Sequence, residues 1–282
     1  MDIKKLEVEL KKLGEKKIDL NLLLAEVSAL KDKSIQDKDE LTANILWVYK
    51  TILEIHKIYN QAFVLLKAKK YNDGWNLLER AEIEVGFLKP HLHLVKGNYK
   101  MRFIEAAVMK LQSLFPYRLF ISTEMLSLEE ICGICRKKIS VRNPCGHIIG
   151  QLYMGEMCFR EASKMDFLGT AIVENPVNKY SVMFQENEDV QIRDKDQFGN
   201  LNYLLNLIKS PYESWTLEIS QRSLPHSNFP NLKPTDPCPC RDGKNYSECC
   251  LLEDGIQYFH YQFDVNKDAI ARLISKRAKK RK

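Results

Sequence analysis

The sequence predicts a mainly helical protein with a small α+β part. It reads as an N-terminal helical bundle or coiled coil, a central cysteine knuckle beside a small α/β unit, and a compact C-terminal cysteine module. Three observations carry this. Apolar residues recur at steps of three and four through residues 1–120. The 8 cysteines fall into two groups with ligand-like spacing. From Ala162 to Leu224, after the first of those groups, short runs rich in β-branched and aromatic residues appear.

Taken in order, Ile3, Leu10 and Leu24 fall at one heptad position and Leu6, Leu13, Leu20 and Val27 at the other, with Lys17 interrupting the first series. Glu7, Glu9 and Lys16 flank this seam, and Gly14 weakens it by about 1 kcal/mol. The pattern suits a coiled coil or bundle helix and offers a surface to a second subunit. Lys31 to Asp39 reads as a polar break, with Ser34 and Asp37 as N-cap candidates. Leu41, Ile45, Val48, Ile52, Ile55, Tyr59, Ala62 and Leu66 then mark the clearest helix of the chain, ending in lysines that suit the helix dipole. Tyr71 to Gly74 reads as a turn, Trp75 to Leu88 as a third helix stopped by Pro90, and Gly97 to Leu114 as a fourth stopped by Pro116. Trp47 and Tyr49 are expected in the core. His91 and His93 alternate beside Pro90 with no third ligand nearby, which does not make a metal site.

The first cysteine group opens with Cys132-Gly-Ile-Cys135, continues with Cys145-Gly-His147, and ends at Cys158. A Cys-x-x-Cys turn places two thiolates on one face, so Cys132 and Cys135 are expected to ligate zinc. Cys145 and His147 are the preferred remaining pair and Cys158 the alternative. A redox motif would want a long helix after the second cysteine, and Arg136-Lys137-Lys138 and a turn-rich loop follow instead. The run from Cys145 to Gly155 also resembles the Cys-x-His-x-x-Gly-x-x-Tyr-x-Gly pattern of small bacterial and phage zinc sites.

Between 166 and 224 the pattern reads as a small α/β unit: Thr170–Val173 and Lys179–Phe184 as a hairpin, Leu201–Ile208 as a helix, and Trp215–Ile219 as a strand. Ser223 to Pro237 holds four prolines in fifteen residues and reads as an extended linker. Cys238, Cys240, Cys249 and Cys250 then fall within thirteen residues. A segment so short and polar has no apolar core, and four thiolates around one zinc ion would give it a fold. Residues 256–263 are aromatic-rich, and 268–278 suggest a short amphipathic helix with Ile270, Leu273 and Ile274 on one side. The expected divisions are 1–120, 121–165, 166–224, a linker at 225–236, the module at 237–258, and a helix with a basic tail at 259–282.

The C-terminal cysteines carry a family resemblance. They resemble the SEC-C motif, the zinc-binding module at the C-terminus of the SecA translocation ATPase that is appended to many bacterial proteins. The match runs through Cys238, Pro239, Cys240, Gly243, Lys244, Tyr246, Cys249 and Cys250. It departs at Arg241 and Asp242, where a small residue and Ser are usual, and at Asn245 and Ser247, where Lys is usual. The resemblance implies zinc and a docking role toward a protein partner in translocation, chaperone or ribosome contexts.

Composition limits the function classes. The net charge is +6, and the last seven residues carry six positive charges, so the remainder is nearly balanced. Lys276, Arg277, Lys279, Lys280, Arg281 and Lys282 are therefore candidates for nucleic-acid or ribosome contact. The N-terminal residues lack a signal-peptide run, no apolar window is long enough for a membrane span, and thiols in ligand spacing suit a reducing compartment, so a cytoplasmic protein is expected. No phosphate loop, dinucleotide fingerprint, nucleophile elbow or zincin motif is present. The expectation is a non-enzymatic adaptor with two Zn2+ sites, with nucleic-acid binding as the alternative and an enzyme of unrecognised type as a lesser one.

Overall fold

The computed structural model describes residues 2–15, 18–140, 142, 144–183, 197–240 and 242–265. About 44% of the described residues are helical and 23% strand, which makes it a mixed α+β protein. It divides into two compact units, Met1–Leu205 with Ser210–Tyr212, and Asn206–Lys209 with Glu213–Lys282. The amphipathic helix expected over 268–278 and the basic tail, Lys276 to Lys282, lie outside the described residues.

In the first unit the N-terminal heptad is divided between two helices, α1 (Ile3–Leu10) and α2 (Leu20–Gln36). Gly14 adopts φ +77°, and a Cβ there would stand 2.8 Å from the side chains of Lys100 and Tyr212. A turn is thus built where the heptad alone would continue a helix. Asp19 restarts the helix by accepting the N–H groups of Asn21 and Leu22. Leu6, Leu10, Leu13 and Val27 are buried within the chain itself, so that much of the seam is already covered.

The helix α3 (Glu40–Lys67) is central. Its cap is Asp39, which accepts Thr42 N–H at 3.1 Å, and not Ser34 or Asp37. The Ser34 hydroxyl instead donates to Leu30 O within α2, which continues to Gln36 through the expected polar break. The α3 helix buries Leu46, Val48, Tyr49, Ile52, Leu53, Ile55, Tyr59 and Leu66, and it packs against α2, α4 and α5. It is therefore apolar over more of its circumference than one stripe, as befits a helix enclosed by others. Tyr49 is in the core with its hydroxyl on Glu7, and half-buried Trp47 meets His91 edge-on.

The helix α4 (Tyr71–Leu88) starts four residues before Trp75, so the expected turn at Tyr71 is its first turn. The helix α5 (Met101–Gln112) begins later than expected, because Tyr99 and Lys100 are left-handed at φ 44° and 61°. A helix α6 (Gly199–Leu207) follows, of which the residues up to Leu205 belong to this unit.

Two long strands, β1 (Phe120–Cys132) and β4 (Arg160–Val173), form an antiparallel ribbon. Between them lies a small hairpin of β2 (Leu152–Tyr153) and β3 (Glu156–Met157). The expected hairpin of Thr170–Val173 with the segment from Lys179 does not form. Thr170–Val173 pairs with Phe120–Thr123, and Val182 bridges Phe120 from the other edge of β1. The Lys179 segment is held by α4: buried Glu79 accepts Lys179 N–H at 2.8 Å, and Trp75 Nε1 donates to Lys179 O.

In the second unit β5 (Trp215–Leu224) pairs with β6 (Ile256–Val265) in unbroken antiparallel register. The strand expected from Trp215 is thus twice as long as its apolar start suggested, because its partner lies beyond the cysteine module. Residues 225–236 carry short turns and lay Phe229 and Leu232 against that module.

Candidate metal centres

The first centre is built at the end of the β1–β4 ribbon. Cys132 is the last residue of β1, its N–H donates to Lys137 O, and Arg136 N–H donates back to Cys132 O, both at 2.9 Å. This closed turn swings Cys135 round to the side of Cys132. The left-handed residue of the turn is Arg136, at φ 60°. Gly133 lies close under Phe159: a Cβ there would stand 3.0 Å from the exposed ring and press it aside. Turns and isolated bridge residues, among them Lys138 opposite Ile131, follow Cys135, and no helix starts there among the described residues.

Cys132, Cys135, Cys145 and His147 bring one donor atom each within 4.8 Å of one another. His147 Nδ1 lies 3.7 Å from Cys132 Sγ. The imidazole is oriented by Tyr153, whose ring stands edge-on at 4.6 Å, and whose hydroxyl accepts Ile148 N–H at 2.9 Å. Cys158 is buried with Sγ 4.0 Å from Cys132 Sγ, so it is a fifth sulfur against the same group. Hydrogen bonds from the backbone N–H groups of Cys135 and Ile134, helped by the Cys145 and Cys135 thiols, bring the Cys132 thiol down to about 6. Burial pushes the Cys158 thiol up to about 11.

The helices hold this centre from below. Lys31, buried on α2, donates from Nζ to Gly155 O at 3.1 Å and to Glu156 Oε1 at 2.6 Å. Gly155 N–H donates to Asn44 Oδ1 at 2.7 Å, and Met154 N–H donates to Glu40 Oε1 at 3.2 Å. Gly155 is at φ +75° with Ala43 O only 3.0 Å from its would-be Cβ, so no larger residue allows this docking. Lys31, Asn44 and Glu40 escape sequence reasoning, since more than a hundred residues separate them from the hairpin that they hold.

The second centre lies between β5 and β6. Cys238, Cys240, Cys249 and Cys250 bring their sulfurs within 4.8 Å of one another. Cys240 and Cys249 Sγ are 3.4 Å apart, and Cys249 and Cys250 Sγ 3.9 Å. A bridge between Pro237 and Asn245, with Cys238 N–H on Lys244 O at 2.9 Å, folds the two cysteine pairs together. The core here is Cys238, Tyr246, Cys250 and Ile256, so half of its buried residues are thiols. Tyr246 Oη meets His226 Nδ1 at 2.5 Å, and His226 Nε2 donates to Glu253 O at 2.9 Å. His226 is a support that the sequence did not single out; its position in the proline-rich stretch gave no signal. Burial raises the Cys238 thiol, but N–H groups of Cys240 and Cys250 and the neighbouring thiols outweigh this and bring it down to about 7. Burial pushes Cys240 up to about 11.

All eight cysteines are free thiols. Each group concentrates soft donors with one acidified thiol, which is what a cation replacing the shared protons would need. Both groups can hold a metal ion. His91 and His93 do not converge: His91 is buried against Trp47, and His93 Nδ1 donates to Pro90 O. Arg136 and Lys138 of the basic run are paired with Glu161 and Glu129. Among the described residues, no helix is long and apolar enough to cross a membrane. No protein family, curated protein or solved structure matches the chain.

Proposed function

We propose that this chain is a non-enzymatic zinc protein, and that its C-terminal module presents a surface to a protein partner. The single observation that carries the reading is the second centre. Four sulfurs converge there, and two of them, on Cys238 and Cys250, make up half of the buried core, with Cys240 and Cys249 packed against it. Donors used this way hold a fold together, and a closed four-sulfur set leaves no position for substrate. Thiolate and imidazole donors suit zinc in both groups. In the first group Cys132, Cys135, Cys145 and His147 form the ligand set, and Cys158 stands behind it. Leu251 and Leu252 are exposed beside the second centre, Leu252 at 80%, and give a docking partner an apolar foothold. The SEC-C resemblance supports the same role and suits a cytoplasmic setting.

Metal analysis of the purified chain tests the first half of this. Two zinc ions per chain are expected, and iron, or no metal at all, would overturn it. Leu251→Asp with Leu252→Asp in the zinc-loaded chain tests the second half, with retained metal and lost partner binding as the expected result. The nucleic-acid reading now rests on Lys276 to Lys282, because Arg136 and Lys138 already have acidic partners. Salt-independent binding of RNA, or none, would remove it.

A further inference from the structure

The β1–β4 ribbon carries an uncovered apolar stripe. In an antiparallel pair, residues opposite one another share a face and successive residues alternate. The register therefore places Ile121 with Ile172, Thr123 with Thr170, Met125 with Phe167, and Ser127 with Met165 on one face. The bulge at Leu168 keeps Phe167 on that face, because it adds one residue to β4 and none to β1. All eight residues are exposed, and the five large apolar ones are 44–64% accessible. At its start the opposite face is turned inward, since Phe120 is buried and stacked on Trp75. The Ile121–Ile172 side thus points away from the helices there. Two strands alone make a marginal structure in water, and this ribbon leaves its most apolar face wet.

We infer that this face packs against the same face of a second copy of the chain, forming a two-fold symmetric dimer through the ribbon. Three features choose that occupant. The stripe from Ile121 to Met165 contains no charged residue, so packing it on itself buries no like charges. The opposite face carries Glu124 and Asp166 against the single base Lys164, so it has no positive excess, which disfavours both nucleic acid and an anionic membrane surface. The five apolar side chains expose on the order of 500 Å² per copy, and their threonine and serine neighbours bring this toward the ~800 Å² per partner of a stable interface. Two ribbons stacked face to face make a small sandwich with sheets about 10 Å apart, which is ordinary packing. The inference does not depend on which metal the centres hold.

Analytical ultracentrifugation of the full, metal-loaded chain from about 1 to about 100 µM is the test. Wild type should sediment as a reversible dimer. Phe167→Glu should weaken dimerisation by at least about 100-fold, with the more conservative Phe167→Thr weakening it less. Leu126→Glu, on the opposite face, should leave it unchanged. Melting temperature and metal content, matched across the variants, show that each is folded. A monomer throughout the range, or a dimer insensitive to Phe167 or equally sensitive to Leu126, would overturn the inference. So would a monomer that binds neutral phosphatidylcholine vesicles through Phe167.

Discussion

Lys31 offers a quantitative handle on how the first centre is secured. Its side chain is 8% exposed, and its ammonium donates to the Gly155 carbonyl and to Glu156, which is 63% exposed. These two interactions should differ in worth. The pair with the exposed carboxylate contributes about 0.2–1 kcal/mol. A buried carbonyl that loses a charged donor costs about 1.5–3 kcal/mol. Lys31→Met keeps the stem that packs near Gly155 and removes only the ammonium. It should therefore destabilise the first unit by about 2 kcal/mol, while Glu156→Gln stays within about 1 kcal/mol. If docking and metal binding are coupled, the same loss weakens the first centre by up to about 30-fold and leaves the second untouched. Urea denaturation followed by tryptophan fluorescence gives the stability, and chelator competition gives the affinity of each centre. Equal effects of Lys31→Met and Glu156→Gln would refute the argument, as would a loss of affinity shared by both centres.

Acid sensitivity should centre on His56. It is fully buried, with Nε2 donating to Tyr99 O at 2.9 Å and Nδ1 accepting from Tyr212 Oη at 2.7 Å. Burial lowers it from 6.5 to about 4, so the folded chain keeps it neutral while the unfolded chain protonates it. Its contribution is complete above about pH 6.5 and is lost as pH falls toward 4, by about 3 kcal/mol in all; stability curves of wild type and His56→Gln should separate in that window. Tyr246→Phe removes the hydroxyl held by His226 and should cost the C-terminal module about 1 kcal/mol, read by its thermal transition. Gly133→Val drives a side chain into the Phe159 ring and should disturb the first centre alone, seen as the loss of one of two bound zinc ions. Chelation of the wild-type chain should abolish the tertiary signal of Tyr246 while the far-ultraviolet signal of α3 persists, because α3 is packed by apolar side chains and the module by its sulfurs.

What could be read from sequence followed the range of the forces involved. The α3 helix was legible because its periodicity and dipole charges are local, although its cap is Asp39 and not the expected Ser34 or Asp37. Both cysteine groups were legible because their spacing alone suggests convergence, with Cys158 placed as the alternative to the preferred Cys145 and His147. Strand partners were not legible. Thr170–Val173 seemed to have a hairpin mate at Lys179, yet the better partner was β1, before the first centre. The broken heptad was hidden because Gly14 looks like a mild helix penalty until Lys100 and Tyr212 are seen to need its space. The docking of Gly155 on Lys31 and Asn44 is likewise a property of distant residues and carries no local signature.

The placement of the two centres has a consequence for how the strands find each other. Cys132 closes β1 opposite Arg160, and Leu224 closes β5 opposite Ile256, so each ribbon has a cysteine group where a hairpin would have its turn. Long connections make such pairings slow, because the entropy of closing the loop must be met before any rung of the ladder can form. An ion gathering the sulfurs would shorten each connection, closing Cys132–His147 within the first and Cys238–Cys250 within the second. Metal uptake would then act as the nucleation step for both ribbons, and the rate of their assembly would follow the supply of the ion.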